Sequence, residues 1–177
     1  MLEIESTYLA KSIPEGLSDC EKKEVFDVYF PKGERHPSTR LRKNGNKYEI
    51  TKKKRVDEND ASIQEEATLK LTKDEFDTLK VIDGKKVIKE RYYYKYNGKT
   101  AEIDIFQGDL EGLVLVDIEF ETPEEKNAFM MPDFCLVDVS QEEFIAGGML
   151  AGKKYRDIED DLARYEYKKI YIGRALN

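Results

Sequence analysis

Five short segments of the chain each carry two charged side chains two positions apart. Within each segment the two charges have the same sign, and in four of the five the residue between them is isoleucine or leucine. The pairs are Glu3 and Glu5, Arg40 and Arg42, Lys89 and Arg91, Glu102 and Asp104, and Asp117 and Glu119. Because side chains alternate between the two faces of a strand, each pair would share one face.

This sorting of charge by strand has a chemical use if the charged faces point into the lumen of a barrel. Carboxylates bind hard cations such as Mg²⁺ or Mn²⁺, and arginine and lysine bind phosphate oxygens. A barrel of about eight strands has room inside for one small ligand. We therefore expect a small anionic phosphate substrate with Mg²⁺ or Mn²⁺. The alternative is a solvated outer face, which explains the charges but not their sorting by sign.

Apolar alternation and turn signals predict about eight mostly antiparallel strands. They are predicted at residues 2–10, 25–30, 40–42, 47–53, 63–71, 87–96, 99–108 and 110–121. Helices predicted at about 73–80, 123–130 and 156–168 would cover the outside. The predicted fold is α+β: a closed eight-stranded antiparallel β-barrel with flanking helices outside.

Length and charge restrict the class of protein. With 177 residues we expect one domain over 1–177, in which about 140–177 form a C-terminal helical segment or lid. The net charge of −7 argues against nucleic acid or an anionic membrane as a partner. No apolar run approaches the ~18 residues of a membrane span, and no signal-peptide pattern is present. We expect a cytoplasmic protein, either a monomer or a homodimer.

Two classes of catalytic site are excluded by residue counts. His36 is the only histidine, so neither an HExxH zinc site nor a histidine-based triad is available. Cys20 and Cys135 show no metal-ligand spacing and are expected to be free thiols.

The stretch Gly147–Lys154 fits most of a P-loop but has Lys154 where the Mg²⁺-binding Ser or Thr would stand. We interpret it as a glycine hinge before a lid.

In their order and spacing these motifs resemble those of the CYTH domain, the triphosphate tunnel metalloenzymes, from residue 2 to about 130. The family opens with acid-x-acid-x-Lys, which Glu3 and Glu5 match, with Thr7 in place of the lysine. Further matches are Arg40-x-Arg42, Thr51-x-Lys53, Lys89-x-Arg91, Asp104-x-Phe106 and Asp117-x-Glu119. The resemblance implies a closed barrel whose charged lumen binds triphosphate and a divalent metal.

The resemblance also implies a role for each matching residue. The implied metal ligands are Glu3, Glu5, Glu119, Asp117, Glu65 and Asp104. The implied substrate-binding residues are Arg40, Arg42, Lys53, Lys89, Arg91 and Lys154. The implied catalytic residues are Glu3, Glu5, Glu119 and Lys89.

Three positions depart from the family pattern in this interpretation. Thr7 removes a lumen cation. On the strand that reads Arg-x-Glu-x-Glu in the family, Ile63 replaces the arginine, Ala67 replaces an acid, and Glu65 alone keeps phase. These departures leave room for a changed substrate or a weakened enzyme.

Four functions remain open from the sequence. The first is a metal-dependent hydrolase of inorganic tripolyphosphate or an organic triphosphate. The second is a cyclase that makes cyclic AMP from ATP. The third is a polyphosphate- or nucleotide-binding module without catalysis, and the fourth is an interaction protein without an anion site.

Overall fold

The structure is a computed structural model that describes residues 2–57 and 59–172. These residues form nine strands and four short helices. The strands are β1 (Leu2–Ala10), β2 (Lys22–Phe30), β3 (Thr39–Asn44), β4 (Lys47–Asp57), β5 (Asp60–Leu71), β6 (Lys85–Tyr96), β7 (Lys99–Phe106), β8 (Val114–Phe120) and β9 (Cys135–Asp138). The helices are α1 (Lys73–Leu79), α2 (Pro123–Ala128), α3 (Gly147–Leu150) and α4 (Glu159–Ala163).

Eight of these strands close into an antiparallel barrel. Neighbours follow the order β5-β4-β3-β2-β6-β7-β8-β1, and β1 pairs back onto β5 through Leu2, Glu3 and Ile4. Further along, β1 leaves β5 and pairs with β9 at Tyr8. The predicted eight-stranded antiparallel barrel with outer helices is confirmed.

Local sequence signals produce the turns and caps around the barrel. The β6–β7 hairpin turns at Asn97 and Gly98, whose φ angles of 47° and 77° suit the tight turns that Asn-Gly favours. The Thr72 hydroxyl caps α1 by accepting a hydrogen bond from the Glu75 N–H, and the Glu75 carboxylate bonds back to the Thr72 N–H. Both features agree with the sequence pattern.

The outward-facing apolar residues pack under helices and loops. Phe76 of α1 covers Val28 and Leu41. Across the barrel, Ile103 and Ile118 are buried against residues of the connecting loops. The apolar residue between two lumen charges is thus part of an outer core, which is why charge and hydrophobicity alternate so regularly on these strands.

One end of the barrel is filled by an apolar core rather than by charge. Leu9, Phe106 and Leu115 continue the lumen faces of their strands and pack against Ile145 and Leu150 of the C-terminal segment. The packing is close, because a Cβ added at Gly147 would lie 2.1 Å from the hydroxyl oxygen of Tyr29. The charged cavity therefore occupies only part of the barrel.

The predicted terminal helix at 156–168 is wrong in extent. Only Glu159–Ala163 is α-helical, and a 3₁₀ turn at Tyr155–Asp157 precedes it. Tyr167 holds the following chain in an irregular path, since its hydroxyl donates to the Gly112 carbonyl and accepts from the Val114 N–H. Within the described residues, no helix has both the length and the apolar character needed to cross a membrane.

Candidate active site

A cavity of about 490 Å³ lies inside the barrel and collects most of the predicted site residues. Its charged walls are formed by side chains from seven strands. The cationic lining residues on the strands are Arg40, Arg42, Lys53, Arg55, Lys89 and Arg91. The acidic lining residues on the strands are Glu3, Glu5, Glu49, Glu66, Glu102, Asp104, Asp117 and Glu119.

The order of strands places the two signs on opposite walls. The acidic pairs lie on β7, β8 and β1, which are neighbours in the barrel. The cations lie on β6, β3 and β4, with β2 between β6 and β3. Glu49 and Glu66 line the cavity among the cations, and Asp27 of β2 lies behind Arg42. The two-walled lumen expected from the sequence is therefore present.

Two arginines of the lumen are held by buried carboxylates. Arg42 donates two hydrogen bonds of 2.7 Å to Asp27 on the neighbouring strand, and both side chains are buried. Although burial alone would raise the pKa of Asp27, the charge and hydrogen bonds of Arg42 lower it to about 2. The guanidinium group of Arg42 is thereby fixed in orientation, and the pair stays charged.

Asp104 organises two further cations. It accepts hydrogen bonds of 2.7 Å from Nε and Nη2 of Arg91 and another from Lys89 Nζ. Asp104 is fully buried, and the charges of Arg91 and Lys89 outweigh that burial and hold its pKa well below the usual range. The structure thus places Asp104 beneath two cations that bind both of its oxygens, an arrangement that does not support its implied role as a metal ligand.

The acidic wall is an electrostatically strained group of carboxylates. Burial raises the pKa of Glu5 to about 7; Lys53 opposes this rise, while Asp117, Glu3 and Glu119 add to it. Burial also raises the pKa of Glu119. Lys53 partly offsets the repulsion between these carboxylates, because it forms an ion pair with Glu3 and lies 3.9 Å from Glu5. A further cation at this wall would offset the remaining repulsion.

Arg40 is the lumen cation with a buried unused donor. Its Nε is buried and has no hydrogen-bond partner among residues 2–57 and 59–172. A buried N–H without a partner is costly. An anion in the cavity would supply the missing acceptor.

Strand β5 faces the lumen in the opposite phase to the one predicted. Glu66 and Gln64 line the cavity, whereas Glu65 is exposed on the outer face. The implied metal ligand Glu65 is therefore misplaced by one residue. Ile63 and Ala67 do not line the cavity either. They therefore do not remove charges from the lumen, although the sequence interpretation expects this.

Lys154 also lies away from the cavity. It is exposed, and its backbone N–H donates to Asp157 at 2.8 Å. The part of the C-terminal segment that reaches the cavity comes earlier, with Ser140 and Gly147 among its lining residues. The implied phosphate contact by Lys154 is not supported by this placement.

Comparison with known proteins gives the family. No family model matches the chain. The chain is 30% identical over 146 residues to the inorganic triphosphatase of Nitrosomonas europaea, and the alignment covers 81% of this chain and 92% of that protein. The chain belongs to the inorganic triphosphatase family. An inorganic triphosphatase of Acetivibrio thermocellus is 32% identical over 72 residues, which are 41% of this chain and 45% of that protein.

Solved structures agree with membership in this family. The crystal structure of the inorganic triphosphatase NE1496 superposes with a TM-score of 0.61 at 25% identity, covering 85% of this chain and 95% of that chain. A putative adenylate cyclase from Bacillus halodurans has a TM-score of 0.51 at 13% identity, over 98% of this chain and 95% of that chain, which shows the fold alone. The expected CYTH relationship is confirmed.

The donor set of the lumen suits a hard divalent cation, although the described residues show no formed metal site. Among residues 2–57 and 59–172, no group of three or more ligating side chains has metal-binding geometry. The acidic wall nevertheless offers several carboxylate oxygens, the ligand type preferred by Mg²⁺ and Mn²⁺. Burial, with the neighbouring carboxylates as a smaller cause, raises the pKa of Glu5, and a bound cation would favour its charged form.

Sequence reasoning missed three side chains that matter at this site of the triphosphatase. Asp27 is the one charged residue of the predicted strand 25–30 and belongs to no pair of charges two positions apart. The sequence interpretation assigns Glu65, not Glu66, to the lumen. Ser140, in the C-terminal segment, lines the cavity and accepts a hydrogen bond of 3.0 Å from the Thr7 N–H. A single acid within the otherwise apolar segment 25–30 is a sequence signal that could have identified Asp27.

Proposed function

We propose that this protein hydrolyses a triphosphate, either inorganic tripolyphosphate or the triphosphate group of an organic compound, inside the barrel lumen. The observation that carries the proposal is the lumen with opposite signs on its two walls, in a member of the inorganic triphosphatase family. Three linked phosphates present charge along a line, and a cationic wall built from several strands matches that distribution.

The cationic wall binds and orients the substrate. Arg42, Lys89 and Arg91 are already fixed by buried carboxylates, so little conformational freedom is lost when phosphate oxygens bind. Arg40 brings a buried donor that a phosphate oxygen satisfies. These groups neutralise charge on the transferred phosphoryl group, and for phosphoryl transfer such positioning and electrostatic stabilisation are the main catalytic contributions.

The acidic wall would hold Mg²⁺ or Mn²⁺. The residues we assign to it are Glu3, Glu5, Asp117 and Glu119. The ion supplies a Lewis acid that neutralises phosphate charge. The carboxylates keep the ion opposite the cationic wall, so that the substrate lies between the two.

Two wider expectations accompany the proposal. The net charge of −7 supports a small phosphate substrate over nucleic acid. A cytoplasmic location and a monomeric or homodimeric state remain predictions from the sequence.

The direct test is phosphate release from tripolyphosphate, thiamine triphosphate and ATP, each with Mg²⁺, with Mn²⁺ and with a chelator. Metal-dependent release from at least one triphosphate supports the proposal. Formation of cyclic AMP from ATP without phosphate release would replace it with the cyclase reaction. Stabilisation by tripolyphosphate without turnover of any substrate would replace it with a binding module.

A further inference from the structure

Thr7 connects the acidic wall to the C-terminal segment. It faces Asp117 directly across the β1–β8 pair, and its hydroxyl donates a hydrogen bond of 2.7 Å to Asp117 Oδ1. Its two backbone groups are bound by the segment after β9: the Thr7 N–H donates to Ser140 Oγ at 3.0 Å, and the Val139 N–H donates to the Thr7 carbonyl at 2.8 Å. Thr7 therefore cannot shift without moving both partners.

The direction of each hydrogen bond in this chain is determined by chemistry. A serine hydroxyl has one hydrogen, and that of Ser140 is donated to Asp138 Oδ1 at 2.6 Å. Its lone pairs remain to accept from the Thr7 N–H. The Asp138 carboxylate also accepts from the Ser140 N–H at 2.8 Å, which holds the serine in place. The chain Asp138–Ser140–Thr7–Asp117 is thus satisfied at every link.

The two oxygens of Asp117 are held from two sides. Thr7 binds Oδ1, while Oδ2 lies 3.5 Å from Nη2 of Arg91. The carboxylate plane is set by these contacts. A ligating carboxylate usually depends on such a neighbour for its orientation.

We propose that Thr7 is a positioning residue that orients Asp117 for a hard divalent cation, and that Ser140 and Asp138 make this orientation depend on the C-terminal segment. The proposal rests on the proposed function, because it takes Asp117 as a metal ligand. Thr7 itself does not touch the substrate or the ion in this account. Its effect passes through the Asp117 carboxylate.

The test measures binding of Mn²⁺ alone by titration calorimetry, without substrate, to the wild-type protein and to three variants. Thr7→Val keeps the branched shape and removes the donor, and Thr7→Ser keeps the donor. Thr78→Val removes an exposed threonine hydroxyl in α1 and serves as the matched control. The melting temperature in chelator is recorded for each protein, so that loss of fold is separated from loss of metal affinity.

We expect Thr7→Val to bind Mn²⁺ about 10- to 100-fold more weakly, the usual cost of losing a partner of a metal ligand. Thr7→Ser and Thr78→Val should match the wild type. Equal affinity of Thr7→Val and wild type would overturn the positioning role and leave the proposed function standing. A folded wild type that binds no Mn²⁺ would overturn both. If Thr7→Val does not fold, Thr7→Ala replaces it, since alanine also lacks the hydroxyl donor; unchanged affinity there would equally overturn the role.

Discussion

Arg91 and Asp104 lie side by side on β6 and β7 and form two hydrogen bonds of 2.7 Å in the interior of the barrel. Neither residue is more than 7% exposed. Asp104 also binds Lys89, so one buried carboxylate sets the position of two cations of the cationic wall. The cationic wall is therefore preorganised by a carboxylate that lies beneath it.

Replacing Asp104 by asparagine should destabilise the protein. The change leaves Arg91 and Lys89 buried without their main counter-charge, and breaking a buried pair in this way costs about 3–5 kcal/mol of unfolding free energy. Urea unfolding near neutral pH measures it. Asp83→Asn, which removes an exposed partner of Lys32, is the control and should show no measurable change. Equal stability of both variants would contradict the structural role of Asp104.

The Asp27–Arg42 ion pair should make the unfolding free energy of the protein depend on pH in the acid range. The folded-state pKa of Asp27 is about 2, below its ordinary value of 3.8. Because the pKa is depressed, the stabilisation is complete above the unfolded value and is lost as the pH falls through about 2. Its size is about 2 kcal/mol.

Urea unfolding of wild type and Asp27→Asn at a series of pH values checks this prediction. The wild type should lose more unfolding free energy than the variant between pH about 4 and about 2. Parallel pH curves for the two proteins would show that Asp27 is not the titrating group.

Arg40 should contribute more to substrate binding than arginines that lie outside the lumen. Replacing it by glutamine removes a buried donor with charge, and such hydrogen bonds contribute about 1.5–3 kcal/mol, or roughly 10- to 100-fold in KM. Steady-state kinetics on tripolyphosphate measure KM. Arg156→Gln, a change of an exposed side chain, is the control. An unchanged KM for Arg40→Gln would remove Arg40 from the binding wall.

The orientation of β5 is testable with two adjacent glutamates. Glu66→Lys would place a new cation beside Lys53, which lies 3.7 Å from the Glu66 carboxylate, and should lower the unfolding free energy by about 2 kcal/mol or more. Glu65→Lys, on the exposed outer face, should leave stability nearly unchanged. Thermal and urea unfolding compare the two. If Glu65→Lys destabilises the protein more than Glu66→Lys, Glu65 and not Glu66 points into the lumen.

The barrel could be predicted where both faces of a strand carry a signal. On β1, β3, β7 and β8 each pair of charges flanks an isoleucine or leucine that is buried outside, so the phase of the strand is fixed twice. On β5 the outer face is largely open to solvent, and Leu69 is 69% exposed there. Hydrophobic alternation therefore gives no phase, and Glu65 and Glu66 fit equally well by type.

The partners of the lumen charges could not be read from the chain. Asp104 and Asp117 look alike in sequence, yet Asp104 is paired with Arg91 and Lys89 while Asp117 is bound by Thr7. That difference comes from cross-strand register and barrel closure. The C-terminal segment was mispredicted as a long helix because its charged residues are typical of a solvated helix, whereas the buried hydroxyl of Tyr167 holds the chain in irregular turns.

The most direct test of the account is tripolyphosphate hydrolysis by Glu119→Gln, with Glu121→Gln as the matched control. Glu119 lines the acidic wall, and Glu121 is exposed just beyond β8. The account predicts that Glu119→Gln lowers metal-dependent kcat/KM by about 100-fold or more, while Glu121→Gln retains wild-type activity. Full metal-dependent activity in Glu119→Gln would contradict the assignment of the barrel lumen as the triphosphatase active site.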